Sequence, residues 1–232
     1  MAALSDFLIT QKWPAKNPDV IQLYSLGTPN GVKATIALEE MDLPYELHTI
    51  SFADEDQLSP EFLSLNPNNK IPAMIDPNGP GGEPLPLWES GAMLIYLAEK
   101  SGVGLPDDGA KRAIALQWLM FRMGGVGPMF GQFGFFHKFA GKDIEDPRPV
   151  ERYAGESKRL LGVLNAHLED KNYLVGDEFT IADIALGPWI RSMRDFYKGG
   201  ELVSWDSQTN VHRYLDDFLA RPAVQRGLAA FS

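Results

Sequence analysis

The sequence predicts an α/β first half followed by an all-helical second half. Three observations carry this. Short β-patterned runs alternate with helical runs over residues 20–103. A stretch rich in glycine, proline and aspartate at 102–108 reads as a boundary. Beyond it the apolar residues recur at helical spacing and strand signals stop. The expected organisation is an arm at 1–19, an α/β domain at 20–103 and a helical domain at 109–232. A chain of 232 residues, 44% hydrophobic, has the length and apolar content for two such cores.

The arm carries Trp13, Pro14 and Pro18 without clear periodicity. It reads as irregular, packing over a site or a dimer, or disordered at its start. A strand at 20–24 runs into a tight loop at 27–31, Gly-Thr-Pro-Asn-Gly, and then an amphipathic helix at 32–40. A strand that turns at once into a helix collects free backbone N–H groups at the positive end of the helix dipole, where negative charge is favoured. Thr28 and Asn30 stand at that point, and both can donate hydrogen bonds to an anion such as a thiolate. Both are also good helix caps, so capping alone is an open alternative. A strand at 45–50 follows, then an acidic loop at 53–57. Ser59 and Pro60 then open a short helix as cap and first residue.

The segment 66–76 reads as a loop ending in Lys70-Ile71-Pro72, then a strand at 73–75. A proline opening a strand cannot donate to the ladder and tolerates a cis peptide bond, which would turn the Ile71 backbone toward a peptide-like ligand. After a proline- and glycine-rich connection at 77–84, a strand from 85 turns at Glu89-Ser90-Gly91 into an apolar helix reaching Lys100. Ser90 at that helix start makes a carboxylate site.

In the second half, residues 110–123 are apolar at helical spacing, and the glycines at 124, 125 and 127 with Pro128 should kink or break the helix. Phe130, Phe133, Phe135, Phe136 and Phe139 form a cluster that fits an apolar pocket floor, a core or a dimer contact. A long helix is expected over 151–168. Thr180-Ile-Ala-Asp183 reads as a capping box with Asp in place of Glu, which gives Asp183 a folding role. Pro222 opens a final helix at 223–229.

A net charge of −10 and a pI near 4.9 argue against nucleic acid and against an anionic membrane surface as partners. The chain has no cysteine. It can therefore form no disulfide and no thiolate metal site, and thiol chemistry has to come from a bound small thiol. The four histidines fit no metal spacing, so no metal is expected. Without a leader pattern or an apolar run of membrane length, the expected compartment is the cytoplasm.

Four motifs carry a resemblance: Ser-Leu-Gly-Thr-Pro-Asn-Gly at 25–31, Asn-Pro-Asn-Asn-Lys-Ile-Pro-Ala at 66–73, Glu-Ser-Gly-Ala at 89–92 and Leu-Ile-Tyr-Leu-Ala-Glu-Lys at 94–100. The first half resembles the thioredoxin-like, glutathione-binding half of a cytosolic glutathione transferase, most of all the bacterial Nu class of disulfide-bond reductases. Glu-Arg-Tyr at 151–153 and the run 175–185 are similar to the helical half of that family.

The resemblance implies glutathione as cosubstrate. Ser90 would meet its γ-glutamyl carboxylate and Glu89 its amine. The Ile71 backbone, beside Pro72, would pair with the cysteinyl unit. Lys70 and Gln57 would hold the glycyl end, and Thr28 and Asn30 would face the sulfur. Arg152 would hold a second glutathione or half of a glutathione disulfide. A free thiol has a pKa of roughly 8.5. Lowering it by about 2 units needs roughly 2.7 kcal/mol of differential stabilisation, which is within reach of a few donated hydrogen bonds. Tyr24 and Ser25 are rival activators. The implied activity is reduction of small disulfides by a homodimer. The alternatives are conjugation of glutathione to electrophiles and a non-catalytic ligand-binding or assembly module.

Overall fold

The computed structural model describes residues 3–232. The chain divides into two compact units, residues 1–103 with 222–232, and residues 104–221.

In the first unit α1 (Ile9–Lys12) leads to β1 (Ile21–Ser25), α2 (Gly31–Glu40), β2 (Tyr45–Thr49), α3 (Pro60–Leu65), β3 (Ala73–Asp76), β4 (Leu85–Trp88) and α4 (Ser90–Ser101). The strands form one mixed sheet in the order β2-β1-β3-β4, with β1 parallel to β2 and the β1–β3 and β3–β4 pairs antiparallel. This is the thioredoxin-like arrangement, since the parallel pair needs a helical crossover and α2 supplies it. Strand alternation divides the sheet's two faces. Tyr24, Ile71, Ala73 and Ile75 pack with Ile50, Phe62 and Leu65 in one core.

The segment expected to be an irregular arm contributes to that core. Leu4 and Ile9, in a 3-10 turn (Leu4–Asp6) and α1, are buried in the same cluster, and Trp13 packs edge-on to Tyr24 at 6.2 Å between ring centroids. Expected disorder at the very start falls on residues 1 and 2, outside those described.

The α-helices of the second unit are α5 (Gly109–Phe121), α6 (Gly127–His137), α7 (Arg148–His167), α8 (Ile181–Arg191) and α9 (Thr209–Ala220), with two isolated β-bridges, Tyr173–Gly176 and Val175–Glu178, between α7 and α8. The expected break near Gly124 is instead a π-helical turn, Arg122–Val126, that joins α5 to α6 without leaving helical backbone. Of the aromatic cluster, Phe130 and Phe133 are core, whereas Phe135 and Phe139 are exposed. The capping box forms as read. Asp183 accepts from the Thr180 N–H at 2.9 Å and the Thr180 hydroxyl at 3.1 Å, and also from the Leu174 N–H at 3.0 Å.

The chain then returns to the first unit as α10 (Pro222–Ala229), which lies against α2. The sequence reading places these residues in the helical domain. Thr35 donates its hydroxyl proton to the Gly227 carbonyl at 2.7 Å, and Arg226 pairs with Glu39 at 2.6 Å. A Cβ on Gly227 would come within 2.6 Å of the Ile36 Cα, so only glycine allows this approach. With α10 as a second cover, α2 is buried from Gly31 through Leu38, not amphipathic as expected.

Candidate functional site

The register brings four segments to one end of the sheet. Ser25, the last residue of β1, lies opposite Thr49, the last of β2. Ala73, the first residue of β3, pairs with Tyr24 on one side and with Trp88, the last of β4, on the other. The loops carrying Thr28 and Asn30, Gln57, Lys70 and Ile71, and Glu89 and Ser90 therefore all leave or enter there.

The loop after β1 turns tightly. A Cβ at Gly31 would stand 1.9 Å from the Leu26 carbonyl oxygen, so glycine is required at the first position of α2. Half-buried Thr28 accepts the Gly31 N–H on its hydroxyl oxygen at 3.1 Å, which caps the helix. That bond uses an acceptor lone pair and leaves the hydroxyl proton for donation. Asn30 makes no cap bond. Its Oδ1 instead accepts from the Lys33 ammonium at 2.8 Å. The same ammonium donates to the Ser90 hydroxyl at 3.3 Å, and Lys33 is fully buried. Asn30 and Ser90, at the starts of α2 and α4, are thus joined through one cation.

Ser90 is buried and opens α4. Glu89 before it is exposed and has φ 71°, ψ 105°, an uncommon conformation for a residue with a side chain. Such outliers cluster at ligand sites. The Ile71–Pro72 peptide is cis, and both residues are buried, while Lys70 is exposed. Buried Asn66 shapes this loop by donating to the Lys70 carbonyl at 2.6 Å and accepting from the Asn68 N–H at 2.9 Å. Gln57 follows Asp56, which is fixed by the Ser51 N–H at 2.8 Å and by Lys12 of α1 at 2.7 Å. Arg152 belongs to the second unit, exposed on α7.

The two rival activators are in the interior. Tyr24 is fully buried and stacks on His48 at 4.7 Å, and its hydroxyl has no hydrogen-bond partner among the described residues. Burial, with a smaller contribution from the Glu46 charge, pushes its phenol well above the usual range. The Ser25 hydroxyl is likewise buried and unpartnered among the described residues, against the start of α2. Among the described residues no cluster of His, Cys, Asp or Glu could hold a metal.

Sequence reasoning missed Lys33. A signal was present: from Gly31 to Leu38 the helix offers only Gly, Val, Ala, Thr, Ile and Leu around one lysine, so the lysine has no polar face to join.

Comparison with known proteins converges on one family. Residues 19–99 match the glutathione S-transferase N-terminal domain model and residues 147–217 the C-terminal domain model. Disulfide-bond oxidoreductase YfcG of Escherichia coli is 48% identical over 75% of this chain and 80% of its own length. A glutathione transferase from Pseudomonas putida, solved with one glutathione disulfide per subunit, is 60% identical and superposes with a TM-score of 0.98 over 100% of both chains. One from Burkholderia graminis, solved with two glutathione molecules per subunit, is 62% identical with a TM-score of 0.96 over 99% of this chain and 96% of its own. With both domain models matched in order and such identity over most of its length, the chain belongs to the glutathione S-transferase family.

Proposed function

We propose that the first unit binds glutathione and that its thiolate reduces small disulfides. One observation carries the reading. A chain with no cysteine has hydrogen-bond donors and helix starts suited to an anion at the end of its sheet, so the thiol it would activate must be a ligand. Thr28 and Asn30 donate to the sulfur and hold it as thiolate. Ser90 takes the γ-glutamyl carboxylate and Glu89 the amine. Ile71, preceding Pro72, pairs through its backbone with the cysteinyl unit, and Lys70 and Gln57 take the glycyl carboxylate. The 48% identity to a disulfide-bond oxidoreductase favours sulfur over carbon as the electrophile.

The thiolate attacks one sulfur of the disulfide, forming a glutathione mixed disulfide and expelling the other sulfur as thiolate. A second glutathione thiolate then attacks the mixed disulfide, releasing the remaining thiol and glutathione disulfide. Two glutathiones are consumed, and no bond to the protein forms. Arg152 holds the second glutathione. Its relatives with glutathione disulfide or two glutathiones bound support a site of that capacity. The remaining properties are those of a Nu-class cytoplasmic homodimer; exposed Ile114 and Met120 on α5 offer apolar surface for pairing.

The test is glutathione-dependent reduction of hydroxyethyl disulfide by enzyme pretreated with a thiol-alkylating reagent. The expected rate is that of untreated enzyme, and Arg152→Ala is expected to lower it more than it weakens binding of the first glutathione. Good conjugation of electrophiles with no disulfide reduction above the glutathione background would replace this reading with the conjugating one.

A further inference from the structure

We infer that Lys33 is a positioning residue that commits Asn30 and Ser90 to act as hydrogen-bond donors toward glutathione. The inference rests on the functional reading above and adds to it a residue outside the predicted site.

The argument begins with what an ammonium can do. It carries three donors and no acceptor. Whichever atom of Asn30 faces it at 2.8 Å must accept, so that atom is Oδ1 and the carboxamide cannot flip. The NH2 end of Asn30 is thereby set as the donor for an outside anion. The same holds at Ser90. Its hydroxyl oxygen accepts from Lys33 at 3.3 Å, so its proton is directed elsewhere. Without Lys33 the hydrogen bond that fixes Oδ1 is lost, and an oxygen turned toward the sulfur would repel a thiolate.

The second element is charge. Lys33 is fully buried, on a helix where every residue from Gly31 to Leu38 is buried. A buried ammonium is unfavourable unless paired or well bonded, and an apolar side chain of the same length would satisfy packing alone. Asn30 and Ser90 each accept a hydrogen bond from it. A cation between the group facing the sulfur and the group facing the glutamyl carboxylate favours both anions, through a medium that screens less than water.

The test is Lys33→Met, which keeps length and removes charge and donors. Three measurements are made on wild type and variant: thermal unfolding, calorimetric Kd for glutathione, and a pH titration of bound glutathione by ultraviolet thiolate absorbance. The expected result is a variant folded at least as stably as wild type, with Kd raised about tenfold and the thiolate midpoint raised by about one unit. Wild type that binds no glutathione overturns the functional reading and this inference with it. Wild type that binds, beside a variant with unchanged Kd and midpoint, overturns this inference alone. If the variant does not fold, the lysine Nζ resonance of Lys33 in 15N-labelled wild type decides. A shift on adding glutathione, smaller with S-methylglutathione, supports the inference, and no shift overturns it.

Discussion

A hydroxyl can cap a helix and still serve a ligand, and the role proposed for Thr28 requires both. Its oxygen accepts from Gly31, and its proton remains to be given. Replacing it with alanine should therefore have two separable effects. The cap loss should lower stability by ~0.5–2 kcal/mol. Loss of a donor to a charged sulfur should cost ~1.5–3 kcal/mol in kcat/KM and raise the pH at which bound glutathione ionises. Thr28→Ser should restore both. Tyr24→Phe should leave turnover unchanged, because the deleted hydroxyl is buried without a partner among the described residues. Loss of turnover in Tyr24→Phe with full activity in Thr28→Ala would reverse the assignment. At this scale the sequence was informative about which residue types stand at the helix starts. It was silent on orientation: alternation along 20–25 could not say which face of the sheet Tyr24 occupies, and nothing local reveals that Asn30 turns to Lys33.

Among the elements, α8 shows how far a local motif extends. Asp183 closes the capping box that its spacing from Thr180 announces, and it also accepts from Leu174, nine residues upstream. Complete burial pushes its carboxyl up to about 6, against the opposing pull of those hydrogen bonds. A pKa raised above the unfolded value of 3.8 means that the folded state holds the proton more tightly. The stability tied to that proton is present in full below about pH 4 and is lost as pH rises through about 6. Urea titrations of wild type and Asp183→Asn should show this slope between pH 4 and 6 in wild type only. At pH 4 the variant should be less stable by ~1–3 kcal/mol, since an amide cannot accept all three bonds, and the difference should shrink as pH rises through 6. An identical pH slope in both proteins would rule out Asp183 as its source. The α2 helix illustrates the limit of local reading. Its apolar residues predicted one buried face, yet α10, distant in sequence, covers a second, and no periodicity within 31–40 encodes that partner.

For the whole molecule, the order of elements was legible because strand signals stop where apolar residues begin to recur at helical spacing. The membership of residues 222–232 was not, because helical spacing says nothing of which core a helix joins. If the chain is a homodimer, sedimentation should find twice the monomer mass of 25.7 kDa at micromolar concentration, and a stable monomer would count against it. Gly227→Ala should force α10 off α2 and destabilise the protein by ~1–3 kcal/mol, read as a lowered unfolding midpoint. An unchanged midpoint would mean that α10 shifts at no cost. The return of α10 also bears on synthesis. The α/β sheet emerges from the ribosome first, but residues 104–221 must all be translated before α10 can cover α2. During that interval the nascent first unit carries an apolar helix face with no cover, a target for a chaperone and a hazard for premature aggregation.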